Sequence, residues 1–186
     1  MTMDRFLRWL ATYATLFVAA HAVAAQDDPR LDTLFERLAA ATDAHEAEIV
    51  ENAIWTIWHQ SGDADVDALF AYGIRAMGSG LNELAFQAFT EVTRRAPRFA
   101  EGWNKRATVN YIMERHDDSI ADIERTLALE PRHFGALSGL GLVNLALGRD
   151  EAALEAFRRA LAVDPHLPGA AERIRELEDK IKGRRT

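Results

Sequence analysis

Three prolines constrain this chain more than any other feature. Pro97, Pro131 and Pro165 are spaced by 34 residues and then by 34 again. A sequence that repeats at such a period folds as a stack of like units, each burying its apolar face against its neighbours rather than around one central core. Stepping by 34 elsewhere returns Leu69, Trp103 and Leu137; Gly73, Ala107 and Gly141; Ala85, Ser119 and Ala153; and Phe89, Ile123 and Phe157. Each column keeps its size class. The large residues fill the space between two antiparallel helices, and the small ones let the backbones approach. Phe86/Ile120/Leu154 and Val109/Val143 are further apolar columns, placed to bury the faces between units. Gly80 and Gly148 fall between the paired helices, where a residue that accepts positive φ ends the first helix. Each proline stops the second helix, since it supplies no donor and restricts the residue before it. The unit is a helix–turn–helix, and the fold class is all-α.

This pattern resembles the tetratricopeptide repeat (TPR) family, with units over 66–99, 100–133 and 134–167. Trp103, Ala107, Ser119, Ile123 and Pro131 carry it in the middle unit; Leu137, Leu140, Gly141, Ala153, Phe157, Ala160 and Pro165 carry it in the last. Arg106 and Asn110 depart from the aliphatic and large aromatic residues usual in the family, and Glu114 stands in place of a glycine. The resemblance implies a right-handed α-solenoid whose concave groove is lined by the first helix of each unit. Carried onto this chain, the groove positions are Phe70, Ile74 and Met77; Asn104, Lys105, Thr108, Tyr111 and Ile112; and Ser138, Leu142 and Leu145. Tyr111, Ile112 and Leu145 are expected to anchor a protein or peptide partner, with Asn104 and Lys105 setting its orientation. No cofactor is implied. A groove that reads carboxylates needs several facing cations, and only Lys105 and Arg106 are available here.

The flanks differ from the repeats. Residues 26–65 read as a divergent N-terminal helix pair, with Ile49, Val50, Ala53, Ile54, Ile57 and Trp58 at helical spacing and Gly62 at its end. In the 34-residue register it is a possible degenerate first repeat, although Glu51 falls where a small residue belongs. Trp55 and Trp58, three residues apart on that helix, read as core rather than as a binding platform. Over 168–186, Ala170, Ile174, Leu177 and Ile181 form one apolar stripe on a charged C-terminal capping helix that ends in a basic tail.

Residues 1–25 have a basic start at Arg5 and Arg8, an apolar run over 10–20 and small residues at Ala22–Ala25, the layout of a secretory signal peptide. Cleavage after Ala25 is expected, giving a periplasmic or secreted protein; an uncleaved segment would anchor the same domain to the membrane. Its removal takes away two bases and one acid and moves the net charge from −7 to −8. Such a charge disfavours nucleic acid and anionic membrane surfaces as partners. The charge is uneven, with eleven acids against two bases over 27–69, and four acids against six bases over 170–186.

Chemistry has little to work with. The absence of cysteine excludes disulfides, thiolate metal sites and a thiol nucleophile. No phosphate-binding glycine loop or nucleophile elbow occurs, and His45-Glu46 has Ile49 where a zinc-protease helix needs its second histidine. Glu114-Arg115-His116-Asp117-Asp118 lies in an inter-helix turn, where helix capping by Asp117 or Asp118 accounts for it. The chain is read as a non-catalytic adaptor of the bacterial cell envelope. The alternatives are a permanent non-catalytic subunit of an envelope biogenesis assembly and, last, an enzyme with an unrecognised site.

Overall fold

The computed structural model describes residues 25–184; residues 1–24, which hold all but the last residue of the expected signal peptide, and residues 185–186 of the tail lie outside them. After a 3-10 turn at Ala25–Asp27, nine α-helices follow among the described residues: α1 (Arg30–Ala40), α2 (Ala44–Trp58), α3 (Ala64–Gly78), α4 (Asn82–Arg95), α5 (Ala100–Ile112), α6 (His116–Leu129), α7 (Phe134–Ala146), α8 (Asp150–Val163) and α9 (Ala170–Gly183). None of these helices is long and apolar enough to cross a membrane. Helices α3/α4, α5/α6 and α7/α8 are the three repeats, each pair packed on the next, and α9 closes the stack against α8.

The 34-residue columns have direct steric causes. A Cβ built on Gly73 would lie 2.7 Å from the Phe89 ring, and one on Gly141 would lie 2.6 Å from the Phe157 ring. Glycine in the first helix thus accepts the phenylalanine of the second. In the middle repeat both members change together, to Ala107 and Ile123, each 2% exposed. Ala96, Glu130 and Asp164, the residues before the three prolines, terminate α4, α6 and α8 with backbone ψ of 71°, 95° and 95°, outside the helical region that a following proline disfavours. Glu130 and Asp164 then accept the amides of Arg132 and His166 two residues on, at 2.9 and 3.0 Å, folding the chain back into the next repeat.

The middle repeat holds together differently from its neighbours. Arg106 makes a two-pronged contact with Asp122, at 2.8 and 2.6 Å, and donates to Thr93 at 3.2 Å; Asn110 donates to the same Asp122 carboxylate at 3.0 Å. The departures at 106 and 110 are therefore one buried polar network whose third member, Asp122, has no counterpart in the apolar columns. Asn144 occupies the column of Asn110 but donates to the Leu140 carbonyl of its own helix. Trp103, expected in the core, is only half-buried. Its indole N–H donates to the Pro97 carbonyl at 3.1 Å, and the Arg106 and Arg125 guanidinium groups lie over its ring. Asp117 and Asp118 supply charge to the first turn of α6 without making a side-chain cap.

The N-terminal pair departs most from the sequence expectation. Asp43 caps α2 by accepting the amides of His45 and Glu46, and the pair buries Leu31, Phe35, Leu38, Val50, Ile54 and Ile57 between its own helices. Its apolar seam then continues onto Phe134, Val163 and Leu167, at the starts and ends of α7 and α8. It does not stack in front of α3 as a preceding repeat. Glu51 breaks the register: it stands in the column that holds Ala85, Ser119 and Ala153 in the repeats, where the backbones need a small residue.

Candidate functional site

The hairpin crosses the edge of the array at which one repeat passes into the next. At the α4–α5 loop, Gln26 donates to the Arg98 carbonyl at 2.6 Å. At the α6–α7 loop, Arg132 pairs with Asp32 at 2.7 Å and covers the Phe35 ring at 4.3 Å. At the α8–α9 loop, the His166 imidazole Nε2 lies 3.0 Å from the Ala41 carbonyl. The segment from Gln26 to Ala41 thus visits three successive loops in order, and α2 returns antiparallel to it over the mouth of the groove.

Trp55 is the residue that α2 inserts. A Cβ on Gly135 would lie 2.8 Å from its indole, so glycine at the start of α7 leaves room for that ring. Phe134 meets Trp55 edge-on with centroids 5.3 Å apart, and the Lys105 ammonium sits 5.2 Å from the ring centroid. Trp58 lies against His133, and His59 approaches Glu101 at 3.5 Å.

Glu101 is the electrostatic centre of this contact. It is 1% exposed, and its carboxylate accepts Asn104 Nδ2 at 2.7 Å, faces His133 Nε2 at 2.9 Å and pairs with Lys105 Nζ at 2.9 Å. His133 Nδ1 accepts the Ala136 amide at 3.1 Å, capping α7, so its ring proton sits on Nε2 and is donated to Glu101. Burial opposes the charge on Glu101, but Lys105, His133 and His59 outweigh it and hold the carboxyl well below its ordinary range. A carboxyl pair, Glu51 and Asp164, involves the middle of α2. Burial, then Asp164 and Glu48, push Glu51 up to about 7, and burial raises Asp164 as well.

Between α2 and the first helices of the last two repeats lies a cavity of about 270 Å³. Asn104, Thr108, Tyr111, Ser138 and Leu142, five of the expected groove residues, line it together, and Glu51 and Trp55 of α2 form its opposite wall. The other six lie elsewhere. Phe70 is buried in the core of the first repeat, with Ile74 and Met77 packed against that core. Lys105 is committed to Glu101, Ile112 is 46% exposed, and Leu145 packs on the cluster of Phe157, Leu177 and Ile181 beneath the capping helix. Sequence reasoning missed Glu101, His133 and Gly135, which have no family signature. A glutamate and a histidine next to the predicted helix starts were the available signal. Among the described residues no group of three or more acidic or histidine side chains could hold a metal ion.

A sequence model of the tetratricopeptide repeat family matches residues 113–168. A TPR repeat-containing protein of Rhizobium etli is 37% identical over 157 residues, covering 84% of this chain and 77% of that protein. The chain belongs to the tetratricopeptide repeat family. Small glutamine-rich tetratricopeptide repeat-containing protein 2 of Saccharomyces cerevisiae is 30% identical over 101 residues, but the match spans only 29% of it. Among solved structures, the first TPR of Spaghetti (RPAP3), bound to an HSP90 peptide, superposes with a TM-score of 0.62 at 20% identity over 64% of this chain and 96% of that one. MamA superposes with a TM-score of 0.61, again at 20% identity, over 84% of each chain. The TPR solenoid is thus this protein's fold.

Proposed function

We propose that this TPR protein is a non-catalytic adaptor of the bacterial cell envelope, binding a protein or peptide in the concave groove. The observation that carries the reading is the cavity in which Asn104, Thr108, Tyr111, Ser138 and Leu142 converge from two successive repeats. Its mixture of apolar wall and hydroxyl or amide groups suits an extended or helical peptide, whose backbone needs hydrogen-bond partners while its side chains need burial. The HSP90 peptide on the RPAP3 domain supports a peptide as ligand for this fold. Capture of a free carboxylate is disfavoured: on α5, Lys105 is engaged by Glu101 and Arg106 by Asp122.

Export is supported by the basic start, apolar run and small residues of the first 25 positions. Gln26, the first residue after the expected cleavage point, is buried and hydrogen-bonded to the α4–α5 loop, which gives the mature N-terminus a docked position. N-terminal sequencing of the protein from cell envelopes should begin at Gln26. An intact Met1 in the membrane fraction indicates an anchor.

The groove is tested by affinity capture from envelope extracts with Tyr111→Ala/Leu142→Ala. The variant should keep its helical content and lose at least about tenfold in capture of the principal partner, or 1.4 kcal/mol. Unchanged capture by this variant, together with loss on charge reversal over 27–67, would move the binding surface to the acidic front.

A further inference from the structure

The groove carries a ligand already, in the form of this chain's own hairpin. We propose that α2 is a resident, displaceable ligand of the array: the shelf formed by Glu101, Lys105, His133, Phe134 and Gly135 is a helix-binding site that Trp55, Trp58 and His59 fill in cis. The proposal rests on the array being a protein-binding module, and it names the chemistry of what binds there. A competing partner presents an amphipathic helix with two aromatic rings one turn apart and a donor for Glu101.

Four observations carry it. First, the contact is built as recognition rather than as repeat stacking. Trp55 meets a glycine whose Cβ would lie 2.8 Å away, Trp58 stacks on His133 with centroids 4.0 Å apart, and His59 reaches Glu101 at 3.5 Å. Two aromatic anchors seated at the centre of a polar rim are the usual composition of a binding hot spot. Second, the two helices of the hairpin pack on each other through Leu31, Leu38, Ala47, Val50 and Ile54, and meet the array through Trp55, Trp58, Phe134, Val163 and Leu167. Third, the latch at the α6–α7 loop is weak. The Asp32–Arg132 pair is solvent-exposed, and such pairs contribute little.

Fourth, the docked state carries costs that undocking relieves. Trp58 Nε1 is buried without a hydrogen-bond acceptor among the described residues, and the Glu51 carboxyl is set against Asp164 across the seam. A buried unpaired donor and a facing pair of acids are features of a contact held below its maximum strength. The five groove residues in the cavity lie immediately behind α2, so a partner that uses them meets Trp55 first.

The test cuts the intact protein. A specific protease site inserted after the exposed Gln60 leaves Ser61 with α3 and, once cleaved, makes the hairpin a separate chain docked on its array. A fluorescent peptide of residues 25–60 is then titrated into the cut protein, with gel filtration and circular dichroism following the array. The cut hairpin should remain bound and exchange with the labelled one while the array stays helical and keeps its elution volume. Trp55→Ala in the peptide, or Gly135→Leu in the array, should weaken exchange by at least about tenfold. The proposal is overturned if the hairpin cannot be exchanged without unfolding the array, if it falls away with no measurable affinity, or if both substitutions leave exchange within about twofold. Failure to capture any envelope partner would count against the adaptor reading and leave the exchange result standing, so the two fail separately.

Discussion

Trp58 lies flat on His133, ring centroids 4.0 Å apart and planes 8° from parallel, joining the second helix of the chain to the start of the seventh. The same imidazole caps α7 through Nδ1 and donates to Glu101 through Nε2, so one ring serves the hairpin, the last repeat and the buried carboxylate of the middle repeat. His133→Ala should therefore destabilise the protein by about 2–4 kcal/mol, combining a lost cap with a buried acceptor left short of a donor. His166→Ala, which loses a half-buried contact to the Ala41 carbonyl, should cost about 1 kcal/mol or less. Urea titration of both variants compares them directly; equal losses would show that His133 is an ordinary loop residue.

Gly141 and Phe157 form one packing unit, as do Gly73 and Phe89. Gly141→Ala gains about 1 kcal/mol of helix propensity but drives a methyl into the phenyl ring, for a net loss of about 1–2 kcal/mol. In a Phe157→Ile background, which copies the Ala107/Ile123 pair of the middle repeat, the same substitution should be neutral or stabilising. A double-mutant cycle in denaturant should give a coupling of at least about 1 kcal/mol, and additive effects would show that the two columns do not act together.

Glu114 is the only non-glycine among the described residues with positive φ, at 59°, in the α5–α6 turn where the first and last repeats use Gly80 and Gly148. A side chain in this region costs about 1–2 kcal/mol, of which glycine's greater unfolded-state freedom returns part. Glu114→Gly should raise stability by about 0.5–1 kcal/mol, read as a higher denaturation midpoint with unchanged slope.

The Glu51–Asp164 contact makes docking of the hairpin pH-dependent. Burial, Asp164 and Glu48 raise Glu51 to about 7, against the opposing influence of His166. A carboxyl whose folded pKa is raised stabilises fully below its unfolded value and loses that contribution as pH rises through the folded one, here between about pH 5 and 8. Glu101 acts in the other direction: its lowered pKa gives stability that is lost only on strong acidification, outside that window. Thermal unfolding of the wild type should weaken from pH 5 to pH 8 more than that of Glu51→Gln. Equal slopes would show that the pair does not titrate as described.

Prolines every 34 residues made the repeats and their helix boundaries legible, because a column that must be small or large leaves its mark on single residues, and the stripe of Ala170, Ile174, Leu177 and Ile181 did the same for the last helix. The Arg106/Asn110 departures were visible as departures, but their partner was not, since Asp122 is one of several acids on α6 and nothing in the sequence sets apart the one that is buried. The course of the hairpin was hidden for a different reason. Periodicity shows that α2 has an apolar face but not which surface covers it, and the residues that decide, Gly135 and His133, belong to a distant loop. The groove residues were located by analogy with an open groove, and those on α5 and α7 that face α2 do converge. Leu145 and the first-repeat residues are taken up by packing instead.

The N-terminal hairpin lies over the groove and does not extend the stack. Nuclear Overhauser contacts of the Trp55 indole in the isotopically labelled protein test this most directly. The structure predicts strong contacts from the Trp55 ring to the α-protons of Gly135 and the ring of Phe134. Contacts from Trp55 to Leu69 or Tyr72 on α3, with none to Gly135, would instead place the hairpin in front of the first repeat.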